Sequence, residues 1–132
     1  MVTRHSSQGG YIALLTVLIV GAAATAIGVT VLTLGADSQK NALISQQSRQ
    51  ARYLATACGE EALQVIHDTT SYTGTANLTL GQGTCSYTVA STGSSTRTVT
   101  ATATVGTVVR KLQASVTINS ASISVSSWQE IG

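Results

Sequence analysis

Two cysteines and one histidine are the side chains of this sequence with the widest chemistry. Cys58 and Cys85 can form one disulfide or remain as two free thiols, and the redox state of the compartment decides between these forms. Together with His67 they lack both the spacing and the fourth ligand of a zinc site. The sequence therefore predicts no metal site and no cofactor.

The acidic and hydroxyl side chains form no recognisable catalytic group. Glu60 and Glu61 are adjacent, so they would diverge on a helix. His67 and Asp68 lie where a helix would end, and capping or solvent contact is their expected role. Ser and Thr supply 37 of the 132 residues, yet the chain has no G-x-S-x-G motif and no phosphate-binding loop. We therefore expect no enzymatic activity.

Length and composition narrow the class of protein. A chain of 132 residues suits one domain. Charged residues make up only 9% and hydrophobic residues 43%, unlike cytosolic globular proteins and unlike chains that charge keeps disordered. The net charge of +2 and the scattered lysines and arginines do not indicate a nucleic-acid surface. Nucleic acid is therefore not an expected partner.

A long apolar segment precedes all of these residues and would position them. Residues 11–34 carry no charge and would form a helix about 36 Å long, enough to cross a bilayer. Arg4 ahead of this segment favours a cytoplasmic N-terminus and an exported C-terminal part. Two other interpretations stay open. One is a secretory signal cleaved at residues 24–26, although the apolar run continues to Leu34, and the other is an anchor that is never processed.

The helical pattern continues beyond the apolar segment. Small or apolar residues recur in steps of three and four, with Gln47 as a polar interruption and Gly59 as a weak point. No proline interrupts the chain. We expect one helix of about 55 residues, apolar over 11–35 and amphipathic over 36–68. The expected stripe consists of Lys40, Leu43, Gln47, Ala51, Leu54, Cys58, Ala62 and Val65.

After a loop at residues 69–74 the period becomes that of strands. Residues 96–105 alternate between threonines and mostly apolar side chains, and residues 111–118 repeat the alternation. Shorter candidate strands, separated by turn signals, are 78–80, 85–89 and 123–128. The sequence predicts a meander of four or five antiparallel strands whose apolar face is covered by the helix stripe. The predicted fold class is therefore α+β.

The two sheet faces have different expected roles. The threonine-rich face is expected to form the outer surface, with Arg97, Arg110 and Lys111 nearby in sequence. The alternation itself assigns Arg97 to the same strand face as Val99.

If the domain is exported, Cys58 and Cys85 meet an oxidising compartment and form a disulfide that joins helix to sheet. Closing 27 residues would contribute about 3.5 kcal/mol.

The order of these parts resembles that of type IV pilins and of the pilin-like pseudopilins of type II secretion systems. The resemblance covers the whole chain in architecture: a short polar leader ending in glycine, an apolar helix that becomes amphipathic, and a small disulfide-bearing antiparallel sheet. At the level of motif it is confined to residues 8–20, around the run GGYIALLTVLIV.

This resemblance implies a processing site. In the family a prepilin peptidase cuts after the leader glycine and methylates the new N-terminus, which here implies a cut between Gly10 and Tyr11 and methylation of Tyr11. Gly9 is a less favoured cut site. The implied organisation is a leader at 1–10, a membrane and filament-core helix at 11–35, an amphipathic helix at 36–68, and the sheet of the globular head at 69–132.

The resemblance also implies assembly. The subunit would reside in the membrane with a cytoplasmic N-terminus until an inner-membrane assembly platform moved it into an extracellular filament of identical or related pilins. Because lipid and neighbouring helices are both apolar, the transfer would be nearly neutral in free energy. The implied filament-core residues are Ile12, Leu14, Leu15, Val17, Leu18, Ile19, Val20, Ile27, Val31 and Leu34.

Leu15 is the main departure from the family pattern. Most members have a glutamate as the fifth mature residue, and its carboxylate pairs with the amino terminus of a neighbouring subunit in the apolar core. Some minor pilin-like subunits lack it, as this chain does.

The family's usual proline in the membrane helix is also absent from this chain. Gly21, Gly28 and Gly35 could soften the helix or let helices pack closely. The alternative function is a membrane-anchored or secreted β-rich adhesin that does not polymerise.

Overall fold

A computed structural model describes residues 5–120 and 122–132 of the chain. The backbone consists of one long helix followed by five strands. The elements are α1 (His5–Asp68), β1 (Gly74–Leu80), β2 (Gly83–Ser91), β3 (Thr96–Val105), β4 (Val108–Asn119) and β5 (Ser122–Ile131). This confirms the α+β prediction, with the larger of the two expected strand counts.

The helix α1 continues without a break from its apolar part into its amphipathic part. It begins at His5, six residues before the expected start at Tyr11, and so includes Gly9 and Gly10. With no proline present, nothing in these residues forbids helical φ and ψ angles. Residues 1–4 of the expected leader lie outside the described residues.

The chain divides into two compact units between Ala42 and Leu43. The described part of the first unit consists of α1 alone. The second unit contains the remaining residues of α1 together with the whole sheet, and it holds the hydrophobic core.

The five strands form one antiparallel sheet in sequence order, with β1 and β5 at its edges. Two-residue loops join β1 to β2 and β3 to β4, and each begins with a glycine at positive φ, Gly81 at +61° and Gly106 at +60°. A positive φ at the first loop position is what a tight hairpin with right-handed strand twist requires. The meander therefore needs no crossover connection.

The core lies between α1 and one face of the sheet. Along β3 every second residue is buried, which confirms the alternation predicted for this strand. The matching side chains of β2 and β4 are buried on the same face, and small residues of α1 cover them. The buried apolar residues are Ala51, Leu54, Ala55, Cys58, Ala62, Ile66, Cys85, Tyr87, Val89, Val99, Ala101, Ala103, Val105, Leu112, Ala114 and Val116.

The helix stripe differs from the expected one at both ends. Lys40 and Leu43 are exposed rather than buried. Within the second unit the sheet ends at the Gly106 turn, which meets the side chain of Gln47, so Leu43 has no strand to contact. At the other end Ile66 is fully buried and Val65 only partly so.

The edge strands are longer than the sequence pattern indicated. β1 includes Gly74, which was expected in a loop, and β5 extends to Ile131. Most side chains of these strands are exposed or only half-buried on both faces, so their sequences carry little apolar alternation. Backbone pairing with β2 and β4 defines them instead.

Candidate functional site

The apolar part of α1 is an extended apolar surface that no other described residue covers. Its thirteen large apolar side chains are each between 46% and 75% exposed. At about 1.5 to 3 kcal/mol for each side chain left in water, such exposure costs tens of kcal/mol. That exceeds the roughly 5 to 15 kcal/mol that stabilises a typical domain. The segment therefore needs apolar surroundings supplied from outside the chain, on every side of the helix.

The polar side chains in this segment are adapted to such surroundings. Each of the four threonine hydroxyls between Tyr11 and Leu34 donates a hydrogen bond to a carbonyl of the preceding turn, over 2.7–2.9 Å. An unpaired hydroxyl would cost several kcal/mol in hydrocarbon. The segment can therefore lie in lipid or among other helices without an unsatisfied hydroxyl. The four donors are Thr16, Thr25, Thr30 and Thr33.

The glycines of this segment do not serve packing within the chain. A Cβ added at Gly21, Gly28 or Gly35 would meet no atom of the described residues within 4 Å. They follow one another at seven-residue intervals, so they share one side of the helix. Small residues on one side of a membrane helix allow a second helix to approach closely.

The expected processing site lies in the same exposed helix. Gly10 and Tyr11 are both exposed and helical. The fifth residue after this bond, Leu15, is 46% exposed, and the described residues from Tyr11 to Leu34 include no carboxylate. Any amino terminus formed at Tyr11 thus has no acidic partner within its own apolar segment.

Comparison of the chain with protein-family models, with curated proteins and with solved structures finds no match. By length and composition, α1 is able to cross a membrane. All ten residues expected in the filament core belong to its exposed apolar surface. These ten side chains share one property: no other element in the described part of the chain covers them.

The disulfide joins the second unit's helix to its sheet. Cys58 of α1 and Cys85 of β2 are bonded, with their Cα atoms 6.4 Å apart. Both residues are buried, at 0% and 3% exposure. The bond therefore closes the interface between helix and sheet from inside the core, and no free cysteine remains.

Arg97 lies inside the second unit, on the strand face that the alternation assigned to it together with Val99. It occupies the buried face of β3 and is only 9% exposed. Its Nη1 donates to Ser91 Oγ and to the carbonyls of Gly93 and Thr96, and its Nη2 donates to the carbonyl of Thr70. The guanidinium thereby ties the loop after α1 to the turn between β2 and β3.

Arg110 is close to the threonine-rich face in sequence but does not lie on it. It is half-buried on the helix-facing side of β4, where Nη1 lies 3.2 Å from Glu130 Oε1 and Nη2 donates to Ser48 Oγ. Arg52 of α1 approaches the other oxygen of Glu130, with Nη2 at 2.7 Å. Hydrogen bonding from Arg52, aided by the charges of both arginines, lowers the pKa of Glu130 from its ordinary value. Of the three cations near the threonine-rich face in sequence, Lys111 alone is exposed.

Gly59 is a point of close approach between α1 and the sheet, and the sequence indicated it only as a weak point. An added Cβ would lie 2.9 Å from Leu112 Cδ2 and 2.9 Å from Trp128 Cη2. A side chain at this position would therefore separate the helix from β4 and β5. The one sequence feature that could have indicated this close contact is the presence of a glycine within an otherwise uninterrupted helical pattern.

The side chains considered for catalysis in the sequence, Glu60, Glu61, His67 and Asp68, are all exposed. No three or more His, Cys, Asp or Glu side chains there are grouped so that they could bind a metal. His67 Nδ1 lies 3.3 Å from Asp68 Oδ1, and both are exposed at the end of α1. An open groove of about 490 Å³ lies between α1 and the Gly81 turn, and Tyr53 is its one titratable side chain. It therefore offers neither a carboxylate nor an imidazole.

Proposed function

We propose that this chain is a structural subunit of a type IV pilus-like filament, assembled through the apolar part of α1. The observation that carries the proposal is the exposure of all thirteen large apolar side chains of this segment, on every side of the helix. Lipid supplies apolar surroundings before assembly, and the same helices of neighbouring subunits supply them afterwards. The resemblance of the N-terminal residues to pilins supports burial among the helices of neighbouring subunits.

The two units of the chain would have separate roles in this function. The apolar part of α1 would hold the filament together, and the second unit would form the head. The buried disulfide and the Arg97 hydrogen bonds suit a head that must stay folded outside the cell, where no chaperone system renews it. Prepilin peptidase and an inner-membrane assembly platform are the partners that this function requires.

A membrane-anchored module that does not polymerise is the second candidate. Leu15 favours it, because the chain has no carboxylate there to neutralise the amino terminus of a neighbour. An unpaired charge in an apolar core is costly. The two candidates differ in one observable: whether the mature chain is recovered in filaments or only in the membrane.

The filament proposal is tested in cells that supply a prepilin peptidase and an assembly platform. Surface material is sheared from the cells and examined by electron microscopy with an antibody against the head. We expect labelled filaments from the unaltered chain and none from a Gly10→Leu variant, which cannot be processed. A Gly9→Ala variant is the matched control and should still give filaments. Recovery of unaltered chain only from the membrane, as monomers, would support the second candidate.

A further inference from the structure

The exposed surface of α1 in the second unit carries opposite charges at two separate levels. Arg49 lies near the beginning of this part of the helix, and Glu60 and Glu61 lie about three turns further on. All three side chains are exposed. None of them takes part in an ion pair within the described part of the chain, where the pairs are formed by other side chains.

Helix geometry places two of these charges on one line. Arg49 and Glu60 are eleven residues apart, and eleven residues complete three turns of an α-helix with almost no angular displacement. At about 1.5 Å per residue the two side chains are separated by about 16 Å along the helix axis. Tyr53, which is 73% exposed, lies between them on the same side. We call the surface formed by Arg49, Tyr53 and Glu60 the outer ridge.

Two copies with the same orientation could place their outer ridges side by side in two ways. At equal height, Arg49 would face Arg49 and Glu60 would face Glu60, and both contacts would be repulsive. If one copy is displaced by about 16 Å along the axis, Arg49 of one copy faces Glu60 of the other. The charges therefore disfavour copies at equal height and favour displaced copies.

We infer that the outer ridge is a contact surface between copies of this chain, and that it pairs Arg49 of one subunit with Glu60, assisted by Glu61, of a neighbour displaced along the filament axis. This inference rests on the proposed function and deepens it. Copies anchored in one flat membrane lie at equal height, where the ridge is repulsive, so the pairing becomes available only when a subunit is moved out of the membrane plane.

Charge reversal tests the pairing in the full chain under the filament conditions given above. We expect Arg49→Glu to lower the yield of sheared filaments about tenfold, because like charges would then face each other at the displaced contact. Glu60→Arg combined with Glu61→Arg should lower it similarly. The variant carrying all three changes restores opposite charges and should recover most of the yield. Lys111→Glu, a charge reversal on the exposed outer sheet face, is the matched control and should leave the yield unchanged.

Cysteine crosslinking gives a second readout that does not depend on yield. Chains with Arg49→Cys and chains with Glu60→Cys are produced together, and filaments are treated with a short thiol crosslinker. We expect mixed dimers of the two variants in filaments, with few dimers of either variant alone and few mixed dimers in the membrane pool. Predominant dimers of one variant with itself would place the copies at equal height and overturn the inference.

The outcomes separate this inference from the proposed function. If the unaltered chain forms no filaments, the function fails and the pairing fails with it. If the unaltered chain forms filaments and Arg49→Glu forms them equally well, the pairing alone is wrong. Loss in Arg49→Glu without recovery in the triple variant also contradicts the pairing, because it would mean that Arg49 acts on another group.

Discussion

At the scale of single residues, the guanidinium of Arg97 has an unusual environment for a charge. It is nearly buried, it has no carboxylate partner among the described residues, and its Nε has no hydrogen-bond partner there. Four hydrogen bonds to carbonyl and hydroxyl oxygens compensate for its burial. The residue therefore donates to the carbonyls of Thr70, Gly93 and Thr96, and the last two also accept from Ser91 Oγ and from the Thr92 amide.

We predict that Arg97→Met destabilises the second unit by about 1 to 3 kcal/mol, because it removes four hydrogen bonds and with them the donor that Arg97 supplies to the carbonyl of Thr70. Arg97→Lys should retain the charge but lose most of the stabilisation that Arg97 contributes. An ammonium group cannot donate to both loops with the geometry of a guanidinium. The measurement is denaturant unfolding of the full chain in detergent. Lys111→Met, on the exposed face, is the control. Equal stability of Arg97→Met and the unaltered chain would contradict this role.

Gly59 gives a second prediction at this scale. Alanine is favoured over glycine in a helix by about 1 kcal/mol, so propensity alone predicts stabilisation by Gly59→Ala. The contacts at 2.9 Å with Leu112 and Trp128 predict the opposite. We expect a net destabilisation of about 1 to 2 kcal/mol from overpacking, measured in the same unfolding assay.

Gly35→Ala is the matched control, because the same substitution in the same helix meets no atom of the described residues. It should not lower stability. If both variants were equally stable or more stable than the unaltered chain, the tight approach of α1 to the sheet at Gly59 would be wrong.

At the scale of elements, Glu130 connects the last strand to the helix. It accepts from Arg52 of α1 and from Arg110 of β4, and it belongs to β5. Its lowered pKa means that the folded chain favours the ionised carboxylate. The resulting stabilisation is present above the ordinary glutamate pKa of 4.5 and is lost as the pH falls through the lower pKa of the folded chain.

We therefore predict that Glu130→Gln lowers stability at pH 7 and that the difference from the unaltered chain shrinks as the pH falls below 4.5 and disappears once the pH is below the lowered pKa of Glu130 in the folded chain. Unfolding curves at several pH values test this. Glu60→Gln is the control, because Glu60 takes part in no ion pair within the described residues. A difference that is independent of pH would mean that the ionised carboxylate of Glu130 is not what connects β5 to α1.

The disulfide is the second connection between elements. Replacing both Cys58 and Cys85 by serine should cost about 3.5 kcal/mol through the unfolded chain, with some additional cost from buried hydroxyls. Unfolding of the double variant, compared with the unaltered chain under reducing and oxidising conditions, measures this. No effect of reduction on the unaltered chain would contradict a stabilising role.

How far sequence predicts these elements depends on how much of each is buried. The alternation in residues 96–105 predicted β3 within one residue of its bounds, because every second side chain enters the core. β1 and β5 were predicted too short, because their sequences mix polar and apolar residues on exposed edges. The alternation assigned Arg97 to the buried face of β3, but the partners of Arg97 and Arg110, Thr70 and Glu130, are distant in sequence and could not be predicted from it.

At the scale of the whole molecule, the two units differ in how far their apolar side chains are covered by the rest of the chain. The second unit contains a hydrophobic core and a disulfide. The apolar part of α1 packs on nothing else in the described chain. The segment of residues 11–34 could be predicted from sequence as apolar and membrane-crossing, whereas its destination depends on partners that a single chain does not contain.

The central claim is that this apolar segment is retained in the mature chain and buried among copies of itself. Mass spectrometry of the N-terminus of chain recovered from sheared surface filaments tests it most directly. The account predicts a mature chain that begins with methylated Tyr11 and contains all of residues 11–132. A mature chain that begins at Ile27, or one that keeps Met1 and is found only as a membrane monomer, would contradict it.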